Sequence, residues 1–497
     1  MRASGILMPV FSLPSRYGIG SFSKSAYQFV DMLKKAGQKY WQILPLCPTS
    51  YGDSPYQSFS TYAGNPYFID LDQLIEEKLL TRKECQACDF GDDPQDIDYG
   101  KLYENRFKLL RKAYERANIG EDQEFEAYRR ENAWWLDDYA LFMAVKDRFD
   151  GVAWNEWAED IRLRWSNAMD YYRRELYYEI EFYSYLQFVF MKQWKKLKNY
   201  ANINGIEIIG DIPIYVAFDS ADAWANPELF QFDSENLPTA VAGCPPDGFS
   251  ADGQLWGNPL YRWDYHRETG FDWWIRRIAY CRELYDVVRI DHFRGFDEYY
   301  SIPYGDTTAR NGHWEKGPGI ALFEAAKNRL GELNIIAEDL GYITDSVKKL
   351  VADSGFPGMK VLEFAFDSRE KSDYLPYTYE KNSVVYTGTH DNETIAGWYA
   401  GLDKSDLKMC TDYMNIDRIP GKEYHWDFIR LAMLSVSDLC VIPIQDYLGL
   451  DNRARINHPS TLGTNWRWRL AKGQLSASLL KEIREMTRIS GRLQNGE

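Results

Sequence analysis

The sequence predicts an α/β protein built on a (β/α)₈ barrel, the TIM-barrel architecture, with large, mainly helical insertions between barrel strands. Three observations carry this expectation. About eight short apolar runs punctuate the chain. Most are too continuous in apolar residues for half-exposed antiparallel strands, and they suit parallel strands covered by helices. Several pass through turn residues into helix-patterned stretches, the alternation of a β/α repeat. Three acidic residues fall just beyond such runs, at the strand ends where barrel proteins carry chemistry.

Taken in order, Gly5–Val10 reads as the first strand and leads to an amphipathic helix around Lys24–Ala36. Tyr40–Leu44 is the second strand and stops at Pro45, whose ring removes a ladder donor. The chain then wanders far beyond a crossover helix. Residues 66–204, aromatic and helix-patterned in Trp134–Tyr139 and Tyr177–Trp194, read as a mainly helical subdomain inserted after strand two. Ile206–Gly210 is the third strand. Residues 218–285, rich in Gly, Pro and Trp, read as a second insertion carrying a lid loop over the site. Asp286–Ile290, Asn334–Ala337, Met359–Phe364, Ser383–Tyr386 and Leu439–Ile444 complete the strands. Residues 445–497 leave room for a loop and a closing helix around Leu475–Met486, and too little for a separate C-terminal β-domain. The whole chain, 1–497, is therefore expected to be one catalytic barrel.

Composition narrows the function. The 497 residues are 45% hydrophobic, enough for a large core, with a formal net charge of −16. No basic stripe is present, so nucleic acid is excluded as a partner. No segment approaches the roughly 20 apolar residues that span a bilayer. The start, Met1–Val10, has too short an apolar run for a secretory signal. Seven cysteines form no dense framework, and Cys85-Gln86-Ala87-Cys88 is a single CxxC without a second pair or neighbouring histidines, so no metal site is expected. The cytoplasm is the simplest compartment. There is no P-loop, no HExxH, no third glycine after Gly18-Ile19-Gly20, and Asp252 breaks the nucleophile-elbow pattern at Gly248-Phe249-Ser250-Ala251-Asp252.

The acids say more. Asp291 follows the strand ending at Ile290, Glu338 follows Ala337, and Asp391 lies in Thr387-Gly388-Thr389-His390-Asp391-Asn392, beyond the strand ending at Tyr386. One acid there is most simply a helix cap or an ion-pair partner. Three, each beyond a barrel strand, converge on one rim. Converging carboxylates suit glycosidic bond cleavage, in which a retaining enzyme sets a nucleophile and an acid about 5–5.5 Å apart. The nucleophile must be ionised, and Arg289, two residues before Asp291 and so on the same strand face, is expected to hold its pKa down. The acid must stay partly protonated, through burial or a neighbouring like charge. His390 is placed to donate to a sugar hydroxyl. Asp211, after Gly210, is a fourth acid at a strand end, either anchoring an arginine or touching substrate. Aromatic rings in loops offer platforms for flat sugar faces, and Tyr56, Phe249 and Trp256 are the candidates.

At these residues the chain resembles the 4-α-glucanotransferases, also called amylomaltases or disproportionating enzymes, glycoside hydrolase family 77. The resemblance rests on Arg289-Ile290-Asp291-His292-Phe293-Arg294-Gly295-Phe296, Ala337-Glu338-Asp339-Leu340-Gly341 and Thr389-His390-Asp391-Asn392. It extends through Ser54-Pro55-Tyr56-Gln57, Gly64-Asn65-Pro66, Gly210–Tyr215, Trp256–Tyr261 and Gly463-Thr464-Asn465-Trp466, nearly end to end. It implies that Asp291 is the nucleophile, Glu338 the acid/base and Asp391 the carboxylate that grips and distorts the sugar. It further implies that Arg289 and His390 bind sugar, and that Tyr56, Asp211, Trp256 and Asn465 make further substrate contacts. The implied reaction passes α-1,4-glucan segments, through a covalent glycosyl-enzyme, to the 4-hydroxyl of another glucan or of glucose, with no metal or organic cofactor. Gly248 stands where many members carry an aromatic residue in the lid loop. Two other readings stay open: hydrolysis at the same site, with water as acceptor, and a non-catalytic glucan-binding protein on the same scaffold.

Overall fold

The computed structural model describes residues 2–50, 52–246, 250–341, 343–417 and 423–494. Eight parallel strands close into a barrel: β1 (Ala3–Leu7), β2 (Tyr40–Gln42), β3 (Glu207–Pro213), β4 (Val287–Asp291), β5 (Ile335–Ala337), β6 (Gly358–Val361), β7 (Ser383–Tyr386) and β8 (Leu439–Pro443). Each pairs with the next in sequence, and β8 closes on β1 with Ala3 opposite Leu439. All eight predicted strands are present, with shifted ends. β1 starts earlier and stops before Pro9, after which Val10–Ser12 forms a turn of 3₁₀-helix. β6 ends at Val361, because Leu362–Phe364 also turns into 3₁₀-helix. β3 runs on to Pro213 and β4 includes Asp291.

Alternation along the strands sorts their side chains. Leu7, Ile209, Ile336, Met359, Val361, Val384, Tyr386 and Val441 cluster together inside the barrel. Their neighbours Ile208, Val288, Ile290, Ile335, Val385 and Ile442 belong to the larger core beneath the helices. The same period of two puts Asp211, Arg289 and Asp291 on the inner face, at the upper end of the stack. Gly210 is required between them: a Cβ there would lie 2.1 Å from the ring of Tyr285. The helix Lys24–Lys35 is capped by Ser23 and buries Ala26, Phe29, Val30 and Leu33, one face of a 3.6-residue period. The closing helix, Ala477–Ile489, is capped by Ser476 and buries Leu480, Ile483 and Thr487.

Between β2 and β3 the chain is helical, with Gln123–Arg148 and Tyr177–Ile203 as its longest members. Phe182, Tyr183, Ser184, Tyr185 and Leu186 are consecutive buried residues. A helix buried all round needs cover on every side, which the aromatic-rich helices around it supply. A four-stranded antiparallel sheet stands apart from the barrel, in the order Gln254–Pro259, Ala240–Cys244, Glu298–Pro303, His313–Lys316. It joins the segment between β3 and β4 to the segment after β4, a connection the sequence reading does not contain. Its outer strand, His313–Lys316, is largely exposed and has Trp314 as its one apolar residue, too little to mark a strand. Among the described residues no helix is long and apolar enough to cross a membrane.

Candidate active site

The register of β3 on β4 sets Asp211 opposite Arg289 and Pro213 opposite Asp291. Arg289 reaches across the barrel interior, with Nε 3.4 Å from Sδ of Met359 on β6. Its Nη1 donates to both carboxylate oxygens of Asp211, at 2.8 and 2.7 Å, and its Nη2 donates to Oδ1 of Asp291 at 2.9 Å. Arg289 and Asp211 are 3% and 0% exposed. One cation thus sits between two carboxylates at the floor of the rim.

This arrangement corrects one expectation. Arg289 does draw the Asp291 pKa down, but burial outweighs it, and the carboxylates of Asp211 and Asp391 add to the upward push. The net result is a pKa pushed up to about 6. A side chain that keeps 29% of its surface open to the cleft is still poorly solvated when protein surrounds the rest. Glu338, directly beyond β5, is displaced further. Burial and the charge of Asp291 push it up to about 7, against two backbone amides that favour its ionised form. Those amides are His292 N–H on Oε2 at 2.6 Å and Leu340 N–H on Oε1 at 2.8 Å. The pair thus disfavours double ionisation, and the guanidinium bonded to Asp291 favours keeping the charge there and the proton on Glu338.

Asp391 has a different setting. Burial raises its pKa, but His390, with Nε2 3.3 Å from Oδ1, and Asn457, whose Nδ2 donates to Oδ1 at 2.6 Å, bring it down to about 2. Arg455 donates to the Asp391 backbone carbonyl at 2.7 Å and steadies the loop. Burial disfavours charge on His390, yet Asp391 raises its pKa. Tyr56 links the two halves of the site. Its hydroxyl donates to Oδ2 of Asp211 at 2.8 Å, and its ring stacks on His390, with centroids 5.0 Å apart and planes at 14°.

The structure thus brings together Asp291, Glu338, Asp391, Arg289, Asp211, Tyr56 and His390. Trp256 flanks them, its indole edge-on to the His292 ring at 4.8 Å. Asn465 does not join the carboxylates: its side chain accepts from His458 N–H at 2.9 Å and donates to Thr461 O at 2.9 Å, tying its own loop. Phe249 and Gly248 lie outside the described residues. Sequence reasoning missed Asn457, Arg455 and Trp466. Trp466 packs on Tyr56 at 5.8 Å and His390 at 5.9 Å. The tetrapeptide Gly463–Trp466 was itself a signal, and its tryptophan reaches the site through these ring contacts. Arg455 and Asn457 lie in a polar stretch beyond β8, a rim position open to the same argument as the acids. A separate cavity of about 940 Å³ lies beside the helix Lys24–Lys35, and none of the three carboxylates lines it.

Comparison with known proteins agrees with this geometry. Residues 8–475 match the family described as 4-alpha-glucanotransferase. The chain is 49% identical to the 4-alpha-glucanotransferase of Clostridium butyricum, over 98% of this chain and 100% of that one. It is 45% identical to the enzyme of the same name from Thermus thermophilus, over 99% of both. The solved amylomaltase from Streptococcus agalactiae in complex with acarbose superposes with a TM-score of 0.96 at 44% identity, covering 99% of this chain and 100% of that one. Sequence, barrel and rim lead to one family, and the chain belongs to the 4-alpha-glucanotransferases.

Proposed function

We propose that this protein moves α-1,4-glucan segments from a donor glucan to the 4-hydroxyl of an acceptor, a second glucan or glucose, by two displacements at Asp291. The observation that carries this reading is the contrast between two half-buried acids. Asp291 lies against the Arg289 cation at 2.9 Å, whereas Glu338 is raised by the very charge of Asp291. In the first step the Asp291 carboxylate attacks the anomeric carbon while Glu338 gives its proton to the glycosidic oxygen. The bond to the leaving glucan breaks, and a glycosyl ester of Asp291 forms. In the second step the Glu338 carboxylate takes the proton of the acceptor hydroxyl. The freed oxygen attacks the same carbon, and Asp291 leaves with its charge restored. Two inversions retain the α configuration.

The surrounding groups act on the sugar and on each other. Asp391, ionised and fixed by Asn457, accepts from hydroxyls of the reacting glucose, and His390 and Tyr56 flank the same ring. Asp211 holds Arg289 in place so that its second nitrogen stays on Asp291. Trp256 offers its indole to the acceptor side. The seven cysteines are all free thiols, which fits a reducing compartment such as the cytoplasm. The test is the product ladder from maltotriose. Glucose together with maltopentaose and longer oligomers is the expected outcome. Glucose and maltose alone would replace transfer by hydrolysis, and no turnover at all would leave a binding protein.

A further inference from the structure

The backbone changes direction at the residue after Asp291. His292 takes a left-handed conformation, with φ 54° and ψ 48°, which residues other than glycine, asparagine and aspartate seldom adopt. The consequence is geometric. The turn brings the His292 amide onto Oε2 of Glu338 at 2.6 Å, while the Phe293 amide donates to the Glu338 backbone carbonyl at 2.9 Å. The His292 ring lies perpendicular to Trp256, with planes at 89° and centroids 4.8 Å apart, and 6.3 Å from Tyr215. Its Nε2 is buried with no hydrogen-bond partner among the described residues. Burial and the nearby Arg294 cation push its pKa down to about 3, so the ring packs as a neutral group. Nothing in the reaction as derived above uses this side chain.

We propose that His292 is a positioning residue for Glu338: its left-handed turn holds one amide on Oε2 and so orients the carboxyl and favours its ionised form. The proposal rests on the assignment of Glu338 as acid/base. The charged groups facing Glu338 are Asp291 and Arg289 on β4, with the Tyr374 hydroxyl approaching from the segment after β6. A substitution at position 292 removes none of these groups.

The experiment is kcat/KM for maltotriose against pH in the wild type, His292→Asn, His292→Val and Glu338→Gln. The wild type should show an alkaline limb, the loss of the Glu338 proton in the free enzyme. Valine is branched at Cβ and all but excluded from the left-handed region, so its amide moves off Oε2. Losing a hydrogen bond to a charged group should then move the alkaline limb upward by on the order of one pH unit, with a lower kcat. Asparagine tolerates the left-handed turn and keeps the amide, so its limb should coincide with that of the wild type. His292→Ala, gentler on the fold, should fall between the two and stands in if the valine variant does not fold. A folded valine or alanine variant that loses rate at every pH with its limb unmoved would overturn the proposal. So would equal displacement in the asparagine variant. Full activity in Glu338→Gln removes the acid/base assignment, and the proposal with it. An inactive Glu338→Gln beside an unmoved limb removes the positioning role alone.

Discussion

Asp291 ends a barrel strand and Asp391 sits in a loop five residues beyond another. Both face one cleft, yet one has its pKa pushed up to about 6 and the other is brought down to about 2. Residue type is common to both, so the difference lies in the surroundings. Asp291 takes one bond from a guanidinium that it shares with Asp211, and it lies within the field of two other acids. Asp391 takes a bond from Asn457 at 2.6 Å and has His390 Nε2 at 3.3 Å. Burial and two neighbouring acids outweigh the one guanidinium bond at Asp291, whereas His390 and Asn457 together outweigh burial at Asp391. That suits the two duties proposed: a nucleophile that must leave again as easily as it attacks, and a clamp that stays charged throughout.

The sharpest way to break the comparison is to remove the acid that does chemistry. Asp291→Asn keeps shape and volume but has no nucleophilic oxygen, and transfer from maltotriose should fall by at least about 10⁴-fold, as when a covalent nucleophile is deleted elsewhere. The circular dichroism spectrum should be that of the wild type. Activity within tenfold of the wild type would show that the reactive carboxylate is a different one.

A second variant tests the shared cation. Arg289→Met fills much of the same volume but leaves Asp211, fully buried, with the Tyr56 hydroxyl bonded to it and no guanidinium against its charge. Removing one partner of a buried ion pair typically destabilises by about 3–5 kcal/mol. Urea denaturation should show a loss of that size, and Asp211→Asn in the same chain should recover a large part by removing the stranded charge. Equal instability in the single and double variants would mean that Arg289 acts through packing alone.

These predictions draw on unequal amounts of sequence information. The eight strands were legible because buried parallel strands read as continuous apolar runs bounded by turn residues, and the parity of Arg289 and Asp291 then placed both on the inner face. The strand His313–Lys316 was not legible, since its pairing with Glu298–Pro303 makes up for a short, exposed sequence with a single apolar residue. Asn457 was missed because its contact with Asp391 spans 66 residues of chain and leaves no local pattern. The direction of the Asp291 shift was misread for a related reason. Adjacency to Arg289 is visible in a string of letters, whereas burial and the approach of Asp211 and Asp391 belong to the folded barrel. Asn465 is a motif residue whose side chain bonds within its own loop, and the motif alone does not show that.

The smallest effect tests the donors to Asp391. Asn457→Ala removes the 2.6 Å bond to Asp391 and leaves His390 at 3.3 Å. A hydrogen bond to a charged group is typically worth about 1.5–3 kcal/mol. The Asp391 side chain keeps 43% of its surface open, so screening reduces the expected loss at pH 7 to about 1 kcal/mol. The sign of the pH dependence follows from the depressed pKa. Stability held by the ionised Asp391 is complete above the ordinary aspartate value of about 3.9 and disappears as pH falls through about 2. The gap between wild type and variant should therefore be constant from pH 7 to about 5 and close progressively below about 4. Thermal melts at half-unit intervals of pH measure it directly. A gap that stays constant down to pH 2.5 would mean that Asn457 steadies its loop without regard to charge, and the contrast between the two aspartates would then rest on His390 alone.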